Sequence, residues 1–186
     1  NLEVIISFVS ILLVGVGGFF ALFQWISANR IKRAELINQI VERLRFDQEM
    51  VSTMYMIEYD HSWYDDSFHD GTNGVEAKID KFLSYLSYIC YMRKMGIIQK
   101  KEFAILEYEL RRTCSSHNVC AYLWNIYHFS KKQNLKCTYQ FLIDYGIENG
   151  LIDKKCFMDS TARIFPKYLN FWGTVHLCSL LIKMNF

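Results

Sequence analysis

The chain of 186 residues has very little proline and none of the common nucleotide-binding or hydrolase motifs. Pro166 is its only proline, so no residue before it forces a helix to break. The sequence also has no G-x-G-x-x-G after a strand, no Walker lysine loop and no G-x-S-x-G elbow. These absences remove the usual signatures of dinucleotide binding, phosphate binding and serine hydrolysis. We therefore expect no cofactor.

Charge is also missing from residues 4–23, which read VIISFVSILLVGVGGFFALF. A helix of this length, at about 1.5 Å per residue, matches a bilayer core of roughly 30 Å. The pattern predicts a transmembrane anchor over residues 1–29. A secretory signal is less suitable, because it would carry bases before the apolar stretch, whereas Glu3 stands there. The remaining alternative is a buried helix of a soluble protein.

Three bases, Arg30, Lys32 and Arg33, follow the apolar stretch. By the positive-inside rule they predict a single-pass protein of the cell inner membrane, with its amino terminus outside and its carboxyl-terminal domain in the cytoplasm. At the membrane surface this cluster would meet anionic lipid head groups. The lipid bilayer is therefore the first expected partner.

Small residues inside the stretch, Gly15, Gly17, Gly18 and Ala21, would let a second helix approach closely. They predict a helix–helix interface, formed in a homo-oligomer or with another membrane protein. Nucleic acid is not expected as a partner, because the net charge is only +2 and the bases are interleaved with acids. Six cysteines in a reducing cytoplasm would remain thiols.

Apolar residues after the anchor recur with a helical period, which predicts an all-α fold with one transmembrane helix followed by a cytosolic multi-helix bundle over residues 30–164. The stripe of Ile37, Ile40, Val41 and Leu44 predicts that the anchor helix extends into the cytosol, and Met50, Met54 and Ile57 prolong the stripe. Tyrosines and phenylalanines at helical spacing are read as core.

The clearest helix has apolar residues at i, i+3, i+4, i+7, i+10 and i+11, and should end at Gly96: Ile79, Phe82, Leu83, Leu86, Ile89 and Cys90. Tyr85, Tyr88 and Tyr91 form a second ridge, which predicts contacts on two sides. Further helices are expected from Gln99 to about Thr113, around Cys120 and over residues 138–148. Residues 165–186 form an apolar, aromatic terminal helix or surface segment, with a second membrane span over 168–182 as the alternative.

The loop over residues 58–70 collects possible metal ligands: His61, Asp65, Asp66, His69 and Asp70. Their spacing matches neither an H-E-x-x-H helix nor a calcium loop, which favours a solvated connector. Trp63, Tyr64 and Phe68 in the same loop either pin it to the core or form a partner contact, and we expect the contact.

Cys114, His117 and Cys120 are spaced three residues apart and form a second candidate metal site. A fourth zinc ligand is missing from the pattern, and Cys120 belongs to an apolar stripe. We therefore predict no metal and no catalytic residue.

The run from position 79 to 89, IDKFLSYLSYI, followed by Lys94, Met95 and Gly96, resembles an uncharacterised bacterial family of single-anchor membrane proteins with a small cytosolic helical domain. The likeness covers residues 30–132. It implies the fold and the topology, and it brings no catalytic residues. The aromatic ending after Pro166 departs from that plan.

Three functions are compatible with these patterns. The first is a membrane-tethered, non-enzymatic module for interaction or oligomerisation. The second is a membrane-acting effector, for example in phage defence or abortive infection, in which assembled anchors disturb the bilayer. The third is a metal-dependent enzyme that uses the 58–70 loop.

Overall fold

The computed structural model of the chain describes residues 2–60, 62–65, 68–70 and 74–161. Within those ranges every regular element is helical, which confirms the all-α fold. Contacts divide the chain into a first unit, Asn1–Glu42, and a second unit, Arg43–Phe186. This division falls beyond position 29, where the sequence predicts the end of the anchor. The terminal segment 165–186 lies outside the described residues.

Helix α1 is a single element of 45 residues, Leu2–Phe46. It continues past the apolar stretch, as the stripe through Leu44 predicts, because no proline or cap interrupts it. It ends where Asp47 turns to an extended conformation with φ −71° and ψ 118°. The Asp47 carboxylate accepts hydrogen bonds from the backbone N–H groups of Glu49 and Met50, both at 3.0 Å. This N-cap starts α2, Gln48–Tyr59.

Helix α3, Val75–Lys94, carries the core of the second unit and packs against α2 and α7, Gln140–Glu148. Its predicted apolar stripe is buried along its whole length. Gly96 has a φ of +73°, and the N–H of Ile97 donates to the carbonyl of Met92 at 3.0 Å. The predicted helix end is therefore confirmed. The tyrosine ridge is only partly packed, because Tyr88 is 56% exposed.

The predicted helix from Gln99 to about Thr113 is instead three short segments, and its apolar stripe is nevertheless buried. They are α4, Lys100–Phe103; a 3₁₀ turn, Ala104–Leu106; and α5, Glu107–Ser115. At the 3₁₀ turn the carbonyl of Ile105 accepts a hydrogen bond from Arg45 Nη2 at 2.9 Å. This backbone carbonyl thus bonds to a side chain from the end of α1. The chain continues through α6, His117–Lys132, α7 and α8, Lys154–Met158.

The aromatic residues expected to form a partner contact lie in the core instead. Trp63, Tyr64 and Phe68 are 6%, 2% and 0% exposed. The rings of Tyr64 and Phe68 meet edge to face at 5.0 Å, and Asn125 Nδ2 donates to the Tyr64 hydroxyl at 2.8 Å. Their role as a surface contact is therefore corrected. Burial of large apolar rings stabilises the fold by about 1.5–3 kcal/mol each, so these rings pin the loop to the second unit.

Candidate functional site

Large apolar side chains cover the first half of α1, and between 54% and 75% of the surface of each is exposed: Ile11, Leu12, Leu13, Val14, Val16, Phe19, Phe20, Leu22 and Phe23. The part of this helix from Ser10 to Phe46 contains a window with a mean hydropathy of 1.9, none of it buried. Within the described residues this is one helix long and apolar enough to cross a membrane. A helix that is apolar all round requires an apolar environment.

The small residues of α1 leave a shallow surface within that apolar stretch. A Cβ atom added at Gly15, Gly17 or Gly18 would meet nothing within 4 Å. Ala21 extends the same stretch and is exposed. The backbone at these positions is therefore accessible to another helix, which is the geometry that close helix–helix packing in membranes requires.

The basic cluster follows Trp25, which is 65% exposed, on the continuation of α1. Arg30 and Lys32 are exposed, and Arg33 is half-buried. An indole ring followed by cations is the order found at a membrane–water boundary, where the ring lies at the head groups and the cations meet anionic lipid.

The last turn of α1 belongs to the second unit and is fixed there by two arginines. Arg45 Nε pairs with Glu109 Oε1 at 2.8 Å, and the Glu109 side chain is only 5% exposed. The Arg43 guanidinium lies 5.0 Å above the ring of Tyr85, and burial raises the pKa of that phenol. Both contacts hold the end of α1 against the second unit, so this end is not a loose linker.

A surface that the sequence did not identify lies on α2, the 3₁₀ turn and α5. We call it the tyrosine surface and define it as Tyr55, Tyr59, Ile105 and Tyr108. These four side chains are 50%, 68%, 47% and 62% exposed. Tyr55 and Tyr59 stack with their ring centroids 5.8 Å apart.

An ion pair joins the two halves of the tyrosine surface. Arg112 pairs with Glu58, and its guanidinium lies 5.0 Å above the ring of Tyr108. From the sequence, tyrosines at helical spacing are expected in the core. A better signal was available, because Tyr55 and Tyr59 lie on the face of α2 opposite the buried Met50 and Ile57.

The 58–70 loop does not assemble its described acids into a metal site. Glu58 is engaged by Arg112, and Asp60 Oδ1 accepts hydrogen bonds from the backbone and hydroxyl of Ser62 at 2.8 and 2.6 Å. His69 Nδ1 lies 2.9 Å from Glu76 Oε1. Asp65 is exposed. His61, Asp66 and the side chain of Asp70 lie outside the described residues.

The second candidate, Cys114, His117 and Cys120, is not gathered around one point either. Cys120 Sγ donates to the carbonyl of Cys114 at 3.1 Å rather than pairing with its sulfur. Burial raises the pKa of the Cys120 thiol to about 11 and raises that of Cys114 further. Among the described side chains, no group of three or more His, Cys, Asp or Glu residues could hold a metal.

The cysteines that the structure describes are free thiols: Cys90, Cys114, Cys120, Cys137 and Cys156. Burial raises the pKa of Cys90 to about 12. A thiol with a raised pKa carries little of the thiolate that acts as nucleophile or metal ligand. Cys90 and Cys114, which are buried, pack in the second unit as small apolar side chains.

The chain matches no protein-family model, no curated protein and no solved structure. The described residues offer an apolar helix, a basic boundary and an exposed tyrosine surface, and all three are means of binding.

Proposed function

We propose that this protein is a membrane-tethered, non-enzymatic interaction module. In this proposal α1 crosses the bilayer once, and the second unit presents a contact surface to a partner. The observation that carries it is the exposed apolar stretch of α1, since an all-round apolar helix is stabilised by lipid and not by water. The resemblance of the run from position 79 to 89 to single-anchor bacterial proteins supports the same arrangement.

The orientation proposed is amino terminus outside and second unit in the cytoplasm of a cell with an inner membrane. Arg30, Lys32 and Arg33 support it, because bases flanking a span favour the cytoplasmic side. A green fluorescent protein fused at the carboxyl terminus should fluoresce, whereas a periplasmic reporter enzyme at that position should stay inactive. The opposite result would contradict this orientation and place the second unit outside the cytoplasm.

Self-association of the anchors is proposed to run through Gly15, Gly17, Gly18 and Ala21. The supporting observation is the open space around each glycine, into which a second helix can fit. Crosslinking in native membranes followed by mass determination should give a dimer or larger species. Gly17→Leu should reduce that species, while Leu13→Ile, a change of shape on the same helix, should preserve it. A strict monomer with no crosslinked partner would contradict the proposal.

The partner contact proposed for the second unit is the tyrosine surface, which replaces the buried Trp63, Tyr64 and Phe68. Exposed aromatic rings beside an arginine are typical of residues that dominate protein interfaces. The double change Tyr55→Ser with Tyr59→Ser should abolish recovery of the crosslinked partner. Tyr88→Ser is the matched control, because Tyr88 is an equally exposed tyrosine on α3. Equal recovery from both variants would refute this assignment.

The membrane-acting effector remains a second candidate, favoured by the same open glycines of α1. An effector should arrest growth when it is overexpressed, and Gly17→Leu should relieve that arrest. Under the module hypothesis the cell tolerates Gly17→Leu and loses function when the tyrosine surface changes. Growth curves of Gly17→Leu, together with recovery of the crosslinked partner from the tyrosine-surface variant, therefore separate the two functions.

A further inference from the structure

A cleft of about 400 Å³ opens in the second unit between the end of α3, α4 and α7. We call it the α3–α7 cleft. Three aromatic rings line it, those of Phe103, Phe141 and Tyr145, and Cys90 lies beside them. The ring centroids of Phe103 and Tyr145 are 5.6 Å apart. The volume lies in the range of small-molecule sites, and charged side chains line the cleft beside the rings.

Some of the charged side chains around this cleft have no ion-pair partner within the described residues. Lys94 pairs with Asp144 at 3.3 Å, and Glu107 pairs with Arg111 at 2.9 Å. No carboxylate among the described residues pairs with Arg93 or Lys100, which also line the cleft; the guanidinium of Arg93 lies 6.0 Å above the ring of Phe103.

Glu148 is the remaining acid of the lining, and it too has no ion-pair partner within the described part of the chain. The lining as a whole has three bases and three acids, and Arg93 and Lys100 are the two bases that no carboxylate of the described residues pairs with. These two cations beside aromatic rings favour a ligand that carries a carboxylate.

Tyr145 adds an unused hydrogen-bonding group. Its hydroxyl oxygen is buried and has no hydrogen-bond partner among the described residues. Burial raises the pKa of Tyr145 to about 12, so the hydroxyl keeps its proton at neutral pH. A buried hydroxyl without a partner is costly to a fold.

We propose that the α3–α7 cleft binds a small amphipathic carboxylate, with its apolar body between Phe103, Phe141 and Tyr145 and its carboxylate toward Arg93 and Lys100. The membrane-tethered module would then also be a receptor for a small molecule. This site is separate from the tyrosine surface and from the apolar stretch of α1, so its test does not depend on the proposed function.

The test uses naphthalene-2-carboxylate as the probe and the full chain in lipid nanodiscs as the receptor. Ligand-observed NMR should show saturable binding after subtraction of the signal from empty nanodiscs, which measures partition into lipid. Naphthalene-2-carboxamide has the same shape without the charge and should bind about tenfold more weakly or worse. No saturable binding of the carboxylate at millimolar concentration, or equal binding of the two probes, would overturn the proposal.

Variants locate the site. The double change Arg93→Gln with Lys100→Gln should weaken binding of the carboxylate by about tenfold or more and leave the carboxamide unaffected. Lys136→Gln with Lys154→Gln removes two exposed cations elsewhere in the second unit and should bind as the unchanged protein does. If circular dichroism shows that the first variant has lost its helical structure, Lys100→Gln alone, at the exposed start of α4, gives the same comparison. Equal affinities in all variants would refute the site.

Discussion

Helices α1 and α3 are the longest helices in the described part of the chain, and they differ in the solvent exposure of their apolar side chains. The large side chains of α1 between Ile11 and Phe23 are mostly exposed, whereas the stripe from Ile79 to Ile89 on α3 is completely buried. The difference lies in the charges. Residues 4–23 have none, while α3 carries six at positions off its stripe: Glu76, Lys78, Asp80, Lys81, Arg93 and Lys94.

This comparison shows that apolar content alone does not decide where a helix belongs. A helix with an apolar stripe and a charged face can be satisfied by packing on one side and water on the other. A helix without charge on any side is not stabilised by packing on one face alone, because its other apolar faces would remain in water. Substitutions on each helix test whether α1 depends on lipid and α3 on the protein core.

The largest expected effect comes from placing charge on the exposed apolar stretch. Leu13→Arg with Val16→Arg should cost about 2.5–3.5 kcal/mol per arginine for insertion at the centre of a span. The protein should therefore leave the carbonate-resistant membrane fraction. The matched control is Tyr88→Arg with Met95→Arg, two similarly exposed positions of the second unit, which should remain in the membrane. Retention of the α1 variant would show that α1 does not depend on lipid.

A second comparison removes one phenylalanine ring from each helix. Phe82→Ala should lower the free energy of unfolding of the second unit by about 3–5 kcal/mol, because Phe82 is completely buried. Phe19→Ala should leave that free energy unchanged, since the ring is 74% exposed. Urea unfolding of the full chain in nanodiscs, followed by near-ultraviolet circular dichroism, measures both. A similar loss in the two variants would mean that Phe19 also packs in a protein core.

The sequence was sufficient for features that depend on neighbouring positions. The stripe of α3, the cap at Gly96 and the extension of α1 past the anchor all follow from local spacing, and the structure confirms them. Local spacing was not sufficient where the decisive contact is distant. Tyr64 is held by Asn125, which lies 61 positions away, so a loop residue expected at the surface is buried.

The same limit explains the tyrosine surface and the broken helix after Gln99. The exposure of Tyr108 depends on how α5 packs against α2, where Arg112 pairs with Glu58. Sequence spacing does not predict that packing. At the 3₁₀ turn, Arg45 donates a hydrogen bond to the carbonyl of Ile105, which is 60 positions away in the sequence. Of the candidate metal ligands, the spacing at Cys114, His117 and Cys120 suggested a cluster that the chain geometry does not form.

Glycines provide a third and smaller comparison. A Cβ atom at Gly146 on α7 would lie 2.5 Å from Ile152 Cδ1, whereas one at Gly17 on α1 meets nothing. Alanine at either site gains helix propensity of about 1 kcal/mol, but overpacking typically costs about 1–3 kcal/mol. Gly146→Ala should therefore destabilise the second unit by about 1 kcal/mol and Gly17→Ala should not.

The control for this prediction is a double-mutant cycle. Ile152→Ala removes both the Cδ1 atom at 2.5 Å and the Cγ1 atom at 2.8 Å that a Cβ at position 146 would strike. The double variant should be more stable than the sum of the two single changes implies. Strict additivity would show that the clash is relieved elsewhere and that Gly146 is not required for its close packing.

The smallest expected effect concerns Asp47, where α1 ends and α2 begins. Hydrogen bonds from the N–H groups of Met50 and Glu49 lower the pKa of this carboxyl below its ordinary value of 3.8. Its contribution to stability is therefore complete above pH 3.8 and is lost as the pH falls through the lower, folded-state pKa. Asp47→Asn keeps an acceptor for the cap but does not titrate. The difference in unfolding free energy between the two proteins should be constant near neutral pH and should shrink in acid, and other carboxyls cancel in that difference. A difference that stays constant down to pH 2 would show that the charge of Asp47 adds nothing to the cap that begins α2.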